Sequence, residues 1–339
     1  MALSPDPPAP EAGLSSLLNP TACLVQDFVF LDTKATATFL ILSLCERTGA
    51  MGSAMKTQLK YPREFSFEFF PPKTEEATEN LRRTLTKLAP LKPRFCSVTF
   101  GAGGSTREKT FETALEIQQT TGIECAPHLS CIASTRRSIR EILEAYRSHG
   151  IRHIVALRGD MPSGMLSAGE FRHANELVEF IRSETGNHFH IEVACYPEVH
   201  PQAASAESDL KNFKRKVDAG ADSAITQYFY NPEAYFRFVD DCERLGIDIP
   251  IVPGIMPITN HSQLVRFSDL CGADIPRWIR KRLEAFGDDR KAIRTFGLEV
   301  VTELCRRLLE QGAPGLHFYT LNRAEACLEV WKALGLEPA

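Results

Sequence analysis

No C-x-x-C pair occurs among the ten cysteines, which are spread from Cys23 to Cys327, and this argues against a zinc ligand set or a disulfide framework. The cysteines read instead as reduced, mostly buried small hydrophobes of a cytoplasmic protein. Long apolar runs are also missing. Near the N-terminus the longest is Ala37 to Leu44, too short to span a bilayer, and no basic segment precedes it as a secretory signal would require. Charge of one sign is not concentrated either: Lys and Arg are scattered and the formal net charge is -4, which argues against a nucleic-acid surface.

What is present is globular. Hydrophobic residues make up 43% and charged residues 24%, enough apolar surface for a sizeable core. A length of 339 residues fits two average domains or one large α/β barrel, so length alone does not choose. Residues 1 to 54 differ from the rest. Pro5, Pro7, Pro8 and Pro10 open a segment without strong periodicity, read as an N-terminal extension or as upstream sequence preceding a natural start at Met55.

From residue 55 to residue 339, β-rich runs alternate with longer segments of helical period. The predicted strands are Glu64 to Phe70, Arg94 to Gly101, Glu124 to Cys131, His153 to Asp160, His190 to Pro197, Ser223 to Tyr230, Ile249 to Met256 and Leu316 to Asn322. Helix starts are signalled by Thr74, Ser105-Thr106, Ser134 and Asn231-Pro232-Glu233, and helix ends by Gly122, Gly150, Gly220 and Gly246. Eight β/α units imply a single (β/α)8 TIM barrel, with an additional helix in the long interval between strands 7 and 8. A doubly wound open sheet is the competing architecture. It needs a phosphate loop after the first strand, and here that strand ends in Phe70-Pro71-Pro72.

Gly101-Ala102-Gly103-Gly104-Ser105-Thr106 invites a dinucleotide-fingerprint reading but lacks the third glycine, which leaves a tight βα turn whose N–H groups face a ligand. The stronger signal is positional, because a barrel carries its active site at the C-terminal ends of its strands. Glu68, Thr99, His128, Arg158, Asp160, Tyr196, Gln227, Asn322 and Arg323 all fall there. Each alone has an ordinary reading: His128 as a satisfied core histidine, Asp160 as a helix cap, Gln227 as packing. Glu68 is the most informative. Alternation puts Ser66, Glu68 and Phe70 on one face of an aromatic strand, where the acid is either a salt-bridged structural group or, its pKa raised by burial, a general acid. Asp160, beside Arg158, is expected to stay ionised. The run Lys211, Lys214, Arg215, Lys216 reads as a solvated helix face. His188 and His190 lack further ligands at metal spacing, so no metal is assigned.

Taken together, Ser66-Phe67-Glu68-Phe69-Phe70-Pro71-Pro72, Val98-Thr99-Phe100-Gly101-Ala102-Gly103-Gly104, Ala126-Pro127-His128-Leu129, Leu157-Arg158-Gly159-Asp160, Tyr196-Pro197-Glu198-Val199-His200-Pro201, Ile225-Thr226-Gln227-Tyr228-Phe229, Pro253-Gly254-Ile255-Met256-Pro257 and His317-Phe318-Tyr319-Thr320-Leu321-Asn322-Arg323 resemble the bacterial methylenetetrahydrofolate reductase family. The resemblance runs from Met55 to Leu336. It implies an FAD enzyme that uses NAD(P)H to reduce 5,10-methylenetetrahydrofolate to 5-methyltetrahydrofolate, and a homotetramer. By the same resemblance Glu68 assists opening of the folate's five-membered ring, and Asp160 tunes the flavin. The implied FAD contacts are Thr99, Ala102, His128, Arg158, Gly159, Asp160, Ala174, Tyr196, His200, Ala203, Asp209, Asn212, Arg215 and Lys216. Gln227 and Phe267 would contact folate and nicotinamide, and Gln263 and Arg323 folate alone. This revises the reading of Arg215 and Lys216 from solvated charges to cofactor contacts. A flavin-free lyase using Glu68 as a base and a non-catalytic barrel are the rival readings.

Overall fold

The computed structural model describes residues 55–100, 107–159 and 169–338. Nine parallel strands occur in it: β1 (Glu64–Phe69), β2 (Phe95–Val98), β3 (Cys125–Ser130), β4 (His153–Leu157), β5 (His190–Cys195), β6 (Ser223–Thr226), β7 (Ile251–Val252), β8 (Gly254–Ile255) and β9 (Gly315–Tyr319). They follow one another around a ring, β1 pairing with both β2 and β9. Strands β7 and β8 are one extended segment broken at Pro253, which has no N–H to give to a ladder. Its first half pairs with β6 and its second with β9, so eight strand positions form the barrel.

Eleven α-helices lie among the described residues: α1 (Lys56–Leu59), α2 (Glu75–Leu88), α3 (Arg107–Thr121), α4 (Arg136–Ser148), α5 (Ala174–Thr185), α6 (Ala206–Asp218), α7 (Pro232–Arg244), α8 (His261–Cys271), α9 (Arg277–Phe286), α10 (Arg290–Glu310) and α11 (Glu325–Ala333). The interval before the last strand holds its own helix and two more rather than one, because Gly272 ends α8 and Pro276 caps α9. Local chemistry sets most starts. Thr74, Ser205, Asn231 and Asn260 accept hydrogen bonds from first-turn N–H groups, satisfying donors with no helical partner. The cap of α4 is Thr135, one residue beyond the expected Ser134, because Thr135 and Ser138 bond reciprocally as a capping box. The Ser105-Thr106 start lies outside the described residues. Gly122, Gly150, Gly220 and Gly246 all have positive φ, as their positions after helices predict.

Alternation along the strands sorts the side chains. Phe65 and Phe67 point outward against Trp331 of α11, with ring centroids 4.9 and 6.2 Å apart, and bind the sheet to its helical coat. Ser66 and Glu68 point inward. The eight described cysteines are all free and seven are buried, with burial pushing the Cys96 thiol up to about 12. No described helix is long and apolar enough to cross a membrane.

Candidate active site

The C-terminal mouth of the barrel encloses a cavity of about 330 Å³. Its lining is largely apolar, with Val155, Leu157, Ile225, Met256 and Leu321, and also carries Glu68, His128, Tyr196, Gln227, Phe267 and Tyr319. Six strands and helix α8 therefore contribute, as expected of a parallel barrel.

Among the described residues Glu68 is the one carboxylate lining this cavity, and its side chain is only 12% exposed. His128 Nε2 on β3 lies 3.3 Å and His317 Nε2 on β9 lies 3.6 Å from its Oε2. Both contacts are long, and neither ring nitrogen has another hydrogen-bond partner. The far nitrogen of His317, Nδ1, meets Ser66 Oγ at 2.7 Å, which fixes the orientation of that ring. Burial alone pushes the Glu68 carboxyl up, as the sequence leads one to expect. The expectation of a raised pKa nevertheless fails, because His128 and then His317 outweigh burial and bring the carboxyl down to about 2. In the free protein Glu68 is a carboxylate facing two imidazoles.

A second cleft, of about 200 Å³, lies beyond the ends of β4 and β5 and is lined by Arg158, Ala174, His200, Ala203, Asp209, Asn212, Arg215 and Lys216 among others. These eight expected cofactor contacts, far apart in sequence, share one wall. The cleft abuts the barrel cavity: the Tyr196 ring, which lines the cavity, lies 4.5 Å edge-on from His200, which lines the cleft. Arg158 is steered by Gln202, whose Oε1 accepts from its Nη2 at 2.5 Å. Asp209 accepts from the His200 N–H, and Asn212 from Arg215 Nη1 at 2.8 Å. The expected solvated charge run divides. Lys211 and Lys214 pair with Glu207 and Asp218 on the outer face, whereas Lys216 is turned inward to donate to the Ala194 carbonyl, its ammonium pKa lowered by burial. Three cations against Asp209 make the cleft suited to an anionic ligand such as a pyrophosphate.

Gly159, with φ of +84°, sits between these spaces; a Cβ there would meet Ser130 Oγ at 2.0 Å. Thr99 is buried just beyond β2, and its hydroxyl has no hydrogen-bond partner among the described residues. Gln263 and Arg323 are exposed and do not line the cavity, although each stands close in sequence to a residue that does, Phe267 and Leu321. Ala102 and Asp160 lie outside the described residues. Sequence reasoning missed His317, Ser66 and Tyr319, each on an inward position of β1 or β9. The Tyr319 hydroxyl donates to the Thr226 carbonyl at 2.8 Å and ties β9 across to β6.

The sequence model of the methylenetetrahydrofolate reductase family matches residues 55–335. The 5,10-methylenetetrahydrofolate reductase of Salmonella typhimurium is 44% identical over 273 residues, covering 80% of this chain and 91% of the relative. A plant protein of Arabidopsis thaliana, named methylenetetrahydrofolate reductase (NADH) 1, is 42% identical over 285 residues, which span 80% of this chain and 48% of that protein. Among solved structures, an uncharacterized protein from Clostridium thermocellum, described as binding two copies of 5-methyl-5,6,7,8-tetrahydrofolic acid, shares the fold with a TM-score of 0.59 and 16% identity, over 83% of this chain and 97% of its own.

Proposed function

The chain belongs to the methylenetetrahydrofolate reductase family, and from that premise we propose that it reduces 5,10-methylenetetrahydrofolate to 5-methyltetrahydrofolate, a methyl source for methionine synthesis, with NAD(P)H as donor and FAD as cofactor. NADH is the expected donor, following the designation of the plant relative. Residues 55–339 would form the catalytic domain, with 1–54 as an extension to it, in a cytoplasmic homotetramer.

The observation that carries this reading is the buried Glu68 carboxylate with His128 and His317, set in an apolar cavity that abuts a cation-lined cleft. Bound FAD would supply the two-electron transfer between the nicotinamide and the folate's one-carbon unit. Arg158, Arg215 and Lys216 offset the charge of its phosphates, and Gly159 allows a close backbone approach. Gln227 and Phe267 orient whichever substrate occupies the cavity, with Gln263 and Arg323 holding the folate from the rim. Proton transfer falls to Glu68 together with His128. This pair protonates the nitrogen that leaves as the five-membered ring opens to an iminium. Asp160 contributes negative charge that favours that cation.

Glu68→Gln tests the assignment in anaerobic half-reactions. Folate reduction should fall by about 10²- to 10⁴-fold, the usual worth of a general acid, while flavin reduction by NADH stays within a few-fold of the parent. Loss of both half-reactions, or of neither, would refute it.

A further inference from the structure

A second cluster of titratable groups occupies the opposite end of the barrel, where β4 and β5 begin. His153 pairs with His190 across the two strands, and Glu192 stands two residues further along β5 on the same inward face. His153 Nε2 is 3.2 Å and His190 Nε2 is 3.4 Å from the same oxygen, Glu192 Oε1. All three ligand atoms lie within 4.8 Å of one another. A cation bound tetrahedrally at roughly 2.0–2.1 Å from nitrogen and oxygen holds neighbouring ligand atoms about 3.4 Å apart. Both imidazole-to-carboxylate distances already have that spacing.

A carboxylate flanked by two imidazoles could serve as a plain ion pair, but the remaining atoms fit that poorly. Glu192 and His153 are at least 97% buried, and Glu192 Oε2 and His153 Nδ1 have no hydrogen-bond partner among the described residues. A buried carboxylate oxygen left unpaired is costly, and a cation that takes up the carboxylate removes the cost. The neighbouring arginines are committed elsewhere: Arg94 to Glu64 and Glu124, Arg182 to Asp222. The charge of Glu192 therefore faces only the imidazoles at contact distance. His190 is 41% exposed, which opens a path from solvent. Ser223 Oγ hydrogen-bonds His190 Nε2 at 2.6 Å, so metal binding at that nitrogen displaces this contact and frees the hydroxyl to hold a water beside the site.

We propose that His153, His190 and Glu192 bind a divalent transition cation, with zinc as the fitting type, at the N-terminal end of the barrel. Two imidazoles and one carboxylate are a ligand set that zinc uses. The site joins the starts of β4 and β5, so its effect is on the barrel's stability, and it is separate from the Glu68 cavity.

The test is equilibrium dialysis of the chelator-treated, flavin-loaded full chain against Zn(II) alone, with metal counted per chain and melting followed in parallel. One zinc per chain and a rise in melting temperature are expected. In Glu192→Gln and in the partly exposed His190→Ala, which leaves the buried residues in place, zinc affinity should fall by at least about tenfold, on the scale that loss of ligand support costs a metal site, and the melting shift should vanish. Flavin content serves as the control for folding. No uptake at zinc up to about 1 mM, the weak limit of specific binding, overturns the proposal. So does uptake that survives both substitutions.

Discussion

Replacing His128 by Asn separates two ways in which Glu68 could deliver a proton. With its carboxyl held near 2, below the usual carboxylate range, Glu68 is ionised in the free protein at pH 7. An ionised carboxylate has no proton of its own to give, so the donor in the proposed mechanism is the Glu68–His128 pair and not Glu68 alone. His128 is the largest single cause of the lowered pKa, and burial opposes it. Without the imidazole the burial push remains, and the carboxyl moves up. Each unit of that rise would give a lone acid tenfold more protonated form at neutral pH. The lone-acid reading therefore predicts a folate half-reaction that is kept or quickened, whereas the pair predicts its loss. We expect a fall of about 10²-fold or more at pH 7, the worth of a positioned proton donor. Stopped-flow half-reactions from pH 5 to 9, normalised to bound FAD, measure it. Folate reduction equal to or faster than the parent's would refute the shared-proton mechanism.

Lys216→Met keeps the buried methylene stem and removes the ammonium beneath the cleft, so FAD should bind at least about tenfold more weakly, equivalent to about 1.4 kcal/mol; fluorescence titration of the flavin-stripped chain reads the change, and unaltered affinity would remove Lys216 from the cofactor site. Gly159→Ala meets both a positive φ and a Cβ placed 2.0 Å from Ser130 Oγ. It should cost about 1–3 kcal/mol in urea unfolding, together with weaker flavin binding.

The barrel was legible because its signals are local. Alternation in Phe65 to Phe70 already divides the outward aromatics from Ser66 and Glu68, and the caps Thr74 and Asn231 stand beside the helices they start. The charge of Glu68 was not legible, because it depends on which strands lie beside β1. His317 reaches it only through the pairing of Ser66 with His317 across 251 residues. Helix periodicity in α6 explains the divided charge run: Lys214 and Lys216 are two residues apart and so point to opposite sides, one to Asp218 and the other inward. The spacing of His188 and His190 hid the base cluster for a similar reason. The partner of His190 stands on the neighbouring strand as His153, and no local spacing in the sequence ties Glu192 to that pair.

The interior of this barrel departs from the branched apolar layers that usually fill one. Among the described residues, Phe95, Ala126, Val155 and Ile225 form a small buried apolar cluster separate from the main core, with Leu157 packed against it. Below it stands Glu192 with His153 and His190, and above it Glu68 with His128 and His317. Phe95 lies between them, its ring 4.3 Å from His153 and 5.9 Å from His317. Two buried carboxylates are expensive, because burial opposes the charge of each, and apolar residues of like volume would hold a barrel as well or better. Stability alone therefore does not account for either cluster. The Phe95 layer also keeps them apart: each carboxylate has its own two imidazoles, and no ion pair bridges the two sets. The charge state of Glu68 is accordingly set by groups at the mouth of the barrel. A substitution at Glu192 should move zinc binding and melting while leaving the pH dependence of folate reduction in place, whereas one at His128 should do the reverse.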